Sequence, residues 1–205
     1  MEYVSRSPYE SFKPTRNETH RDFLTLEVLR VIQRREIKIF RLDLVRNIFV
    51  FACYTGLSYS EIGKLDSIHI QKVIDGNVGI IIDRTKTESK CRIPLLPIAN
   101  DVLRKYENHP AASSADRLLP LYSNQKMNSY LKEVATICGL QKNLTMHVAR
   151  HPFATSVNIA NGVPIQTVSK ILGHSSLKTT QIYAEIVDSK ISTDMNQLRI
   201  KLGNP

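Results

Sequence analysis

The sequence has few cysteines, no long apolar run and no secretion signal. Cys53, Cys91 and Cys138 are odd in number and widely spaced, so they form neither a disulfide framework nor a zinc pattern. We expect them to be small, buried apolar residues in a reducing cytosol. No apolar stretch approaches the roughly 18 residues needed to span a bilayer. The N-terminus is polar, and we therefore expect a cytoplasmic protein.

Acidic residues are also in short supply. The 19 Asp and Glu face 28 Lys and Arg, which gives a net charge of +9 and a sequence pI of about 9.5. This surplus fits a polyanionic partner, although it would also fit a membrane surface or mere solubility. The 205 residues, 42% hydrophobic and 23% charged, predict an ordinary globular protein with one main core. No internal repeat or low-complexity segment appears.

The residues that carry chemistry gather between Thr145 and Tyr183. They are His147, Arg150, His151, His174 and Tyr183. Arg150 has a planar fork of N–H donors that fits two phosphate oxygens at once. The imidazoles can add hydrogen bonds, and the Tyr183 hydroxyl can attack phosphorus. This set suits phosphoryl transfer without a metal.

Three pieces of this stretch resemble the catalytic box of the tyrosine recombinases, the phage-type integrases. They are His-x-x-Arg-His at 147–151, Leu-Gly-His at 172–174, and a tyrosine nine residues beyond that last histidine. Each piece alone is weak, but three in this order and spacing are specific. The resemblance continues upstream through Thr-Gly-Leu-Ser-Tyr-Ser-Glu-Ile at 55–62 and Arg-Thr-Lys-Thr at 84–87. It covers roughly residues 20 to 195.

Zinc binding is the competing interpretation of the histidines. His147 and His151 are four residues apart and would share one face of a helix, with His174 as a third ligand. However, no Glu lies between them, and Arg150 would place a fixed positive charge against the ion. We therefore expect no metal and no cofactor.

The resemblance implies a role for each matching residue. Tyr183 would attack the scissile phosphate, giving a 3′-phosphotyrosine bond that conserves the bond energy. Arg150 and His147 would hold the non-bridging oxygens and stabilise the charge that grows there. Lys86 would donate a proton to the departing 5′ oxygen. His174 would hydrogen-bond the phosphate or position Tyr183, whereas we assign His151 to local packing.

One position departs from the family pattern. The family usually has an arginine where this chain has Ser58, and serine brings one hydrogen bond but no charge. Arg84 is the candidate replacement, because it lies two residues before Lys86 and would share its face on an extended strand. Alternatively, Arg84 binds a neighbouring phosphate or forms an ion pair with Glu88. The alternatives to a replacement are a slow domain and an inactive one. Serine here resembles integrases of mobile conjugative elements, which favours an active enzyme over an inactive one.

The resemblance implies double-stranded DNA as the partner and a tetramer assembled on it. In the family, a DNA-binding helical domain precedes the catalytic domain, and nothing here resembles it. We therefore expect residues 1–22 to be a linker or arm from an absent N-terminal domain and 23–205 to be the catalytic domain. By itself this fragment would be a monomer. The function implied is site-specific recombination or integration; the alternatives are a nicking-closing enzyme like type IB topoisomerases, and a DNA-binding recombinase relic.

The predicted fold class is mainly α with a small three-stranded antiparallel β-sheet (α+β). The predicted helices follow Thr25, span Leu42–Tyr54, Ser58–Lys64 and Asn124–Cys138, and follow Pro97, Thr145, Pro164 and Ser176, with a last amphipathic helix at 186–202. Gly56 is the predicted stop of the helix at Leu42–Tyr54, and Gly173 is the predicted stop of the helix after Pro164. The predicted strands are Val73-Ile74, Val78–Asp83 and Cys91–Leu95, the first two joined by a turn at Asp75–Asn77. We expect Lys86 in the turn before the third strand, a loop over His109–Ala115, and a kink near Val148 caused by Pro152.

Overall fold

The computed structural model describes residues 24–73, 76–85, 89–184, 195–196, 198–200 and 202–203. Within them the chain is mainly helical with one three-stranded antiparallel sheet, which confirms the predicted fold class. The α-helices are α1 Leu26–Arg34, α2 Phe40–Thr55, α3 Tyr59–Ile62, α4 Pro97–Tyr106, α5 Pro110–Ser113, α6 Asn124–Ile137, α7 Arg150–Pro152, α8 Ile165–Leu172 and α9 Lys178–Ala184. The strands are β1 Ile70–Lys72, β2 Val78–Asp83 and β3 Lys90–Pro94.

Helix α2 is the centre of the core, since it is buried along almost its whole length and packs against α1, α4 and α6. The start of α1 and the end of α2 follow local signals in the sequence. Thr25 caps the preceding helix by accepting from the Val28 amide at 3.3 Å, and Gly56 ends α2 in the left-handed conformation at φ 67°. These two boundaries confirm the predicted cap and stop.

The sheet has the order β1–β2–β3 with both pairs antiparallel. Its buried hydrophobic side chains are Ile80, Ile82, Cys91 and Ile93. The first strand was predicted at Val73-Ile74, but it ends at Lys72, which pairs with Val78. Val73 instead begins the turn, because its amide bonds to the Asn77 carbonyl at 2.9 Å. Ile74 lies outside the described residues.

Two further predictions need correction. The supposed loop at His109–Ala115 contains helix α5, whose N-cap is His109: its ring accepts from the Ala111 amide at 3.2 Å. Pro152 causes no kink near Val148. The helix starts only at Arg150, so Pro152 lies in a first turn, where a missing N–H breaks no helical bond.

After Pro152 the helix widens. Residues Phe153–Asn158 form a π-helix in which all six residues are buried, and Ile159–Asn161 close it with a 3₁₀ turn. A second, smaller hydrophobic cluster begins here: Phe153, Ala154, Ile159, Val168 and Leu172, with Tyr183 packed against it. This cluster holds α8 and α9, the two elements that carry the C-terminal part of the motif.

The C-terminal end is helical at 195–196, 198–200 and 202. Most of the amphipathic helix predicted at 186–202, and the arm predicted at 1–22, fall outside the described residues. In the part of the chain that the structure describes, no helix is long and apolar enough to cross a bilayer.

Candidate active site

Arg150, His174 and Tyr183 come together at the junction of α7, α8 and α9. An Arg150 Nη2 lies 3.4 Å from His174 Nε2. The His174 ring stacks on the Tyr183 ring, with centroids 6.4 Å apart and planes 17° from parallel. The arginine fork, an imidazole and the tyrosine ring of the predicted motif therefore share one site.

Two arginines bind the C-terminal end of helix α8. Arg150 donates from Nη2 to the Leu172 carbonyl at 2.5 Å, and Arg84 donates from its Nη2 to the Ile171 carbonyl at 2.6 Å. These carbonyls have no partner within their own helix, and a cation is favoured at this end of the helix dipole. Gly173 then turns the chain at φ 64° and delivers His174 beside Arg150. The end of α8 thereby fixes the distance between these two site residues.

The same arginines share two acceptors on the other side of the site. Both donate from Nη1 to the Gly56 carbonyl, Arg150 at 3.0 Å and Arg84 at 3.3 Å. Glu61 Oε2 lies 2.6 Å from Arg84 Nη1 and 3.9 Å from Arg150 Nη1. One carboxylate therefore balances two adjacent guanidinium groups.

Ser58, at the position where the family usually has arginine, is the N-cap of α3. Its hydroxyl accepts from the Glu61 amide at 3.4 Å, and the Ser58 amide donates to Glu61 Oε2 at 2.7 Å. This reciprocal capping box holds the carboxylate that faces both arginines. Ser58 thus acts on the site through Glu61.

Arg84 lies directly behind Arg150 and is almost fully buried, with 3% of its side chain exposed. Besides Glu61, Gly56 and Ile171, it donates from Nε to Cys91 Sγ at 3.3 Å. Its positive charge is therefore next to Arg150, while its donors are engaged with protein acceptors. Arg150 is more accessible, at 21% of its side chain.

Burial and neighbouring charges shift three pKa values here. Burial lowers the pKa of His174 to about 4, assisted by the charges of Arg150 and Arg84, so this imidazole is neutral at pH 7. Burial and the charge of Arg84 lower the pKa of Arg150 from its ordinary value. Burial alone would raise the pKa of Glu61, but the charge of Arg84 and the hydrogen bonds from Ser58 lower it. The site therefore has a neutral imidazole beside paired cations.

The histidines of the first motif extend from this centre. His151 lies edge-on to Tyr183, with centroids 5.2 Å apart, and His147 is exposed and edge-on to His151 at 6.2 Å. We predicted from the sequence that His151 supports local packing, whereas in the structure its ring contacts Tyr183. His151 directly follows Arg150 in the sequence, which is a signal that it lies near the site. The predicted helix, however, directs the His151 side chain away from Arg150.

Other parts of the prediction have mixed outcomes. Lys86 lies outside the described residues. Cys53 and Cys91 are buried and Cys138 is partly buried, all as free thiols. Among the described residues, no three His, Cys, Asp or Glu side chains are grouped to hold a metal ion.

A groove of about 770 Å³ adjoins His174, and its lining includes Lys90, Arg92 and Lys170.

Comparison with known proteins decides the family. The model of the phage integrase family matches residues 29–190. The chain belongs to the phage integrase family. Its fold is shared by solved members: XerA recombinase superposes with a TM-score of 0.68 at 23% identity, covering 95% of this chain and 69% of that one. A λ integrase (75–356) dimer bound to a COC′ core site gives 0.61 at 18% identity, covering 83% of this chain and 62% of that one.

Relatives of similar sequence are named tyrosine recombinases. XerD of Listeria innocua is 31% identical over 155 residues, covering 67% of this chain and 48% of that protein. XerC of Chlamydia caviae is 30% identical over 145 residues, covering 64% of this chain and 44% of that protein. The chain thus spans about half the length of these curated relatives.

Proposed function

We propose that this chain is the catalytic part of a tyrosine site-specific recombinase, which cuts and rejoins DNA strands through a 3′-phosphotyrosine at Tyr183. The observation that carries the proposal is the joint placement of Arg150, His174 and Tyr183 at one site. The relatives named tyrosine recombinases support it, as does the fold shared with XerH bound to its difH substrate, at a TM-score of 0.61 and 20% identity.

In the proposed reaction, the Tyr183 oxygen attacks phosphorus and the 5′ oxygen of the next nucleotide leaves. The new phosphotyrosine bond replaces a phosphodiester bond, so a second 5′ hydroxyl can reverse the step without an energy source. Arg150 and His147 hold the non-bridging oxygens, and His174 adds a hydrogen bond or positions Tyr183. Lys86 protonates the leaving oxygen.

The charge distribution supports double-stranded DNA as the substrate. The groove beside His174 is lined by Lys90, Arg92 and Lys170, which offers cations to backbone phosphates next to the reacting one. We propose that the recombinase works as a tetramer on DNA, that residues 1–22 link it to a DNA-binding domain, and that it acts in the cytoplasm. By itself, the chain is proposed to be a monomer.

The role of Arg84 remains a prediction. We propose that Arg84 supplies the positive charge that Ser58 lacks, and that the chain resembles integrases of mobile conjugative elements in carrying serine at this position. The adjacent guanidinium groups of Arg84 and Arg150 support this, since they share the Gly56 carbonyl. Direct contact with phosphate would require Arg84 to exchange a protein acceptor for a phosphate oxygen. From its present position Arg84 acts through its charge and through Glu61.

The test is covalent capture from a pool of nicked duplexes with randomised sequence around the nick. We expect the wild-type chain to form a protein–DNA species that survives denaturing detergent, and Tyr183→Phe to form none while its duplex affinity is unchanged. Tyr130→Phe is the matched control and is expected to cleave normally. A covalent species from Tyr183→Phe would exclude this tyrosine as the nucleophile. EDTA is expected to leave the reaction unchanged, since no metal is proposed.

A further inference from the structure

Thr180 connects the helix that carries Tyr183 to the His174 ring. It is fully buried and lies on α9, three residues before Tyr183, so both side chains are on one face of that helix. Thr180 Oγ1 lies 2.8 Å from His174 Nδ1. The ring is therefore held at Nδ1 by Thr180, near Arg150 at Nε2 and against the Tyr183 ring on one face.

These contacts determine which ring nitrogen carries the proton. A guanidinium has only donors, so at the contact with Arg150 the His174 Nε2 must accept. His174 is neutral, because burial and the nearby Arg150 and Arg84 hold its pKa at about 4. A neutral imidazole has one N–H, which is then at Nδ1 and donates to Thr180 Oγ1. In the DNA-free protein, His174 Nε2, the nitrogen next to Arg150, is thus an acceptor.

A phosphate oxygen reverses this requirement. It is an acceptor only, so a His174 that bonds to it must donate from Nε2. The other ring nitrogen must then accept, and its neighbour at 2.8 Å must donate. A threonine hydroxyl does both, since it has one O–H and two lone pairs, whereas a valine of similar shape does neither.

We propose that Thr180 is a positioning residue whose hydroxyl accepts from His174 Nδ1 in the free protein and donates to it when an oxyanion binds at Nε2. This rests on the proposed recombinase function. The ring stays neutral: it releases the Nδ1 proton to water and takes a proton from water at Nε2, while the hydroxyl rotates. Because Thr180 and Tyr183 are both on α9, the hydrogen bond between Thr180 and His174 also positions Tyr183 relative to an imidazole that can donate from Nε2.

The first test reads the tautomer directly and needs no DNA. The full chain is labelled with ¹⁵N-histidine, and His174→Gln assigns the resonances of this ring. At neutral pH we expect a protonated-type shift at Nδ1 and an unprotonated-type shift at Nε2. Inorganic phosphate is expected to move the protonated-type shift to Nε2. A free wild-type protein already protonated at Nε2, or no response to phosphate, would overturn the proposal.

Variants test the hydroxyl itself. In Thr180→Val, Arg150 still requires an acceptor at His174 Nε2, so Nδ1 is expected to stay protonated in the free protein, but the phosphate-induced shift of the proton to Nε2 is expected to be lost. Thr180→Ser is expected to keep that shift, with the exposed neighbour substitution Thr179→Val as the control. In covalent capture on the nicked duplexes, Thr180→Val is expected to slow adduct formation about tenfold, which is 1.36 kcal/mol of barrier. Duplex affinity is expected to be unchanged, and Thr180→Ser to stay within about threefold of wild type. Wild-type rates from Thr180→Val would contradict the proposal.

The covalent capture tests the proposed function, and the phosphate titration of His174 tests the role of Thr180. If the wild-type chain forms no adduct with any duplex in the pool, the recombinase assignment fails. The phosphate titration of His174 still decides the role of Thr180, because it requires only the folded chain. If adducts form and the tautomer does not respond to phosphate, the Thr180 proposal alone is wrong.

Discussion

The buried ion pair between Arg84 and Glu61 gives the sharpest prediction for a single residue. Arg84→Ala leaves the buried Glu61 carboxylate with only the longer ion pair to Arg150 at 3.9 Å, and the loss of one partner of a buried pair typically costs about 3–5 kcal/mol. We expect Arg84→Ala to lower the free energy of unfolding by that amount in urea titrations. The exposed pair Arg41–Glu133, with 43% and 44% of the side chains exposed, is the control, and Arg41→Ala is expected to cost below about 1 kcal/mol.

Ser58 and Arg84 also make a double-mutant cycle for catalysis. Ser58→Arg removes the cap of α3, at about 1 kcal/mol, but restores a guanidinium beside Glu61. If Arg84 supplies the missing charge, Ser58→Arg is expected to recover part of the cleavage lost in Arg84→Ala. Covalent-adduct rates from the four proteins measure the coupling. Strictly additive losses would show that the two positions act independently.

His174 predicts a pH dependence of stability. Its pKa is about 4 in the folded chain and ordinarily about 6.5, so between these values the unfolded chain binds a proton that the folded chain does not. Stability from this residue is therefore complete above pH 6.5 and falls as the pH drops toward 4. We expect His174→Gln to flatten the dependence of the unfolding free energy on pH in that window. An unchanged slope would show that folding does not lower the pKa of His174.

At the scale of elements, the turn after α8 is predicted to be intolerant of any side chain. A Cβ at Gly173 would lie 2.6 Å from Arg84 Cγ and 2.7 Å from Cys91 Sγ, at φ 64°. Gly139 ends α6 at φ 67° with nothing within 4 Å, so Gly139→Ala measures the backbone strain alone, roughly 1–2 kcal/mol. We expect Gly173→Ala to destabilise by about 1–3 kcal/mol more. Equal losses in thermal or urea unfolding would contradict the close packing.

Element boundaries show which features the sequence could predict. The cap at Thr25 and the stops at Gly56 and Gly173 depend on the local conformation of one residue, so they were found. The first turn at Pro152 was missed because its effect depends on where the helix begins. Histidine at the N-cap of α5 is an uncommon choice, so the sequence indicated only a loop.

The site was predicted in part for the same reason. Arg150, His174 and Tyr183 belong to one contiguous motif whose spacing is recognisable. Two of the partners of Arg84 are Glu61 and the Ile171 carbonyl, 23 and 87 positions away. Contacts of that separation depend on the packed fold, and a backbone carbonyl has no signature in the sequence. The capping function of Ser58 does have a local signal, since Ser58 and Glu61 form the Ser-x-x-Glu pattern of a capping box.

At the scale of the whole molecule, the net charge of +9 predicts strongly salt-dependent binding to duplex DNA. We expect the logarithm of the association constant to fall linearly with the logarithm of salt concentration. Lys90→Gln and Arg92→Gln are each expected to reduce the slope by about one. Lys105→Gln is the control, because that ammonium is already paired with Asp43 at 2.7 Å. Fluorescence anisotropy over a salt series measures this, and a flat response would contradict a groove that binds phosphates.

The division of the core into two clusters has a consequence for amide hydrogen exchange. Few buried residues hold α8, whereas α2 lies in the large cluster, so α8 is expected to open without unfolding the rest. Its amides should exchange at least tenfold faster than those of α2, and Val168→Ala should accelerate only the former. Leu131→Ala, in the large cluster, should accelerate both. Such an opening would carry away His174 and Tyr183 while Glu61 stays in place, so this chain would lose its proposed nucleophile well before it lost its fold.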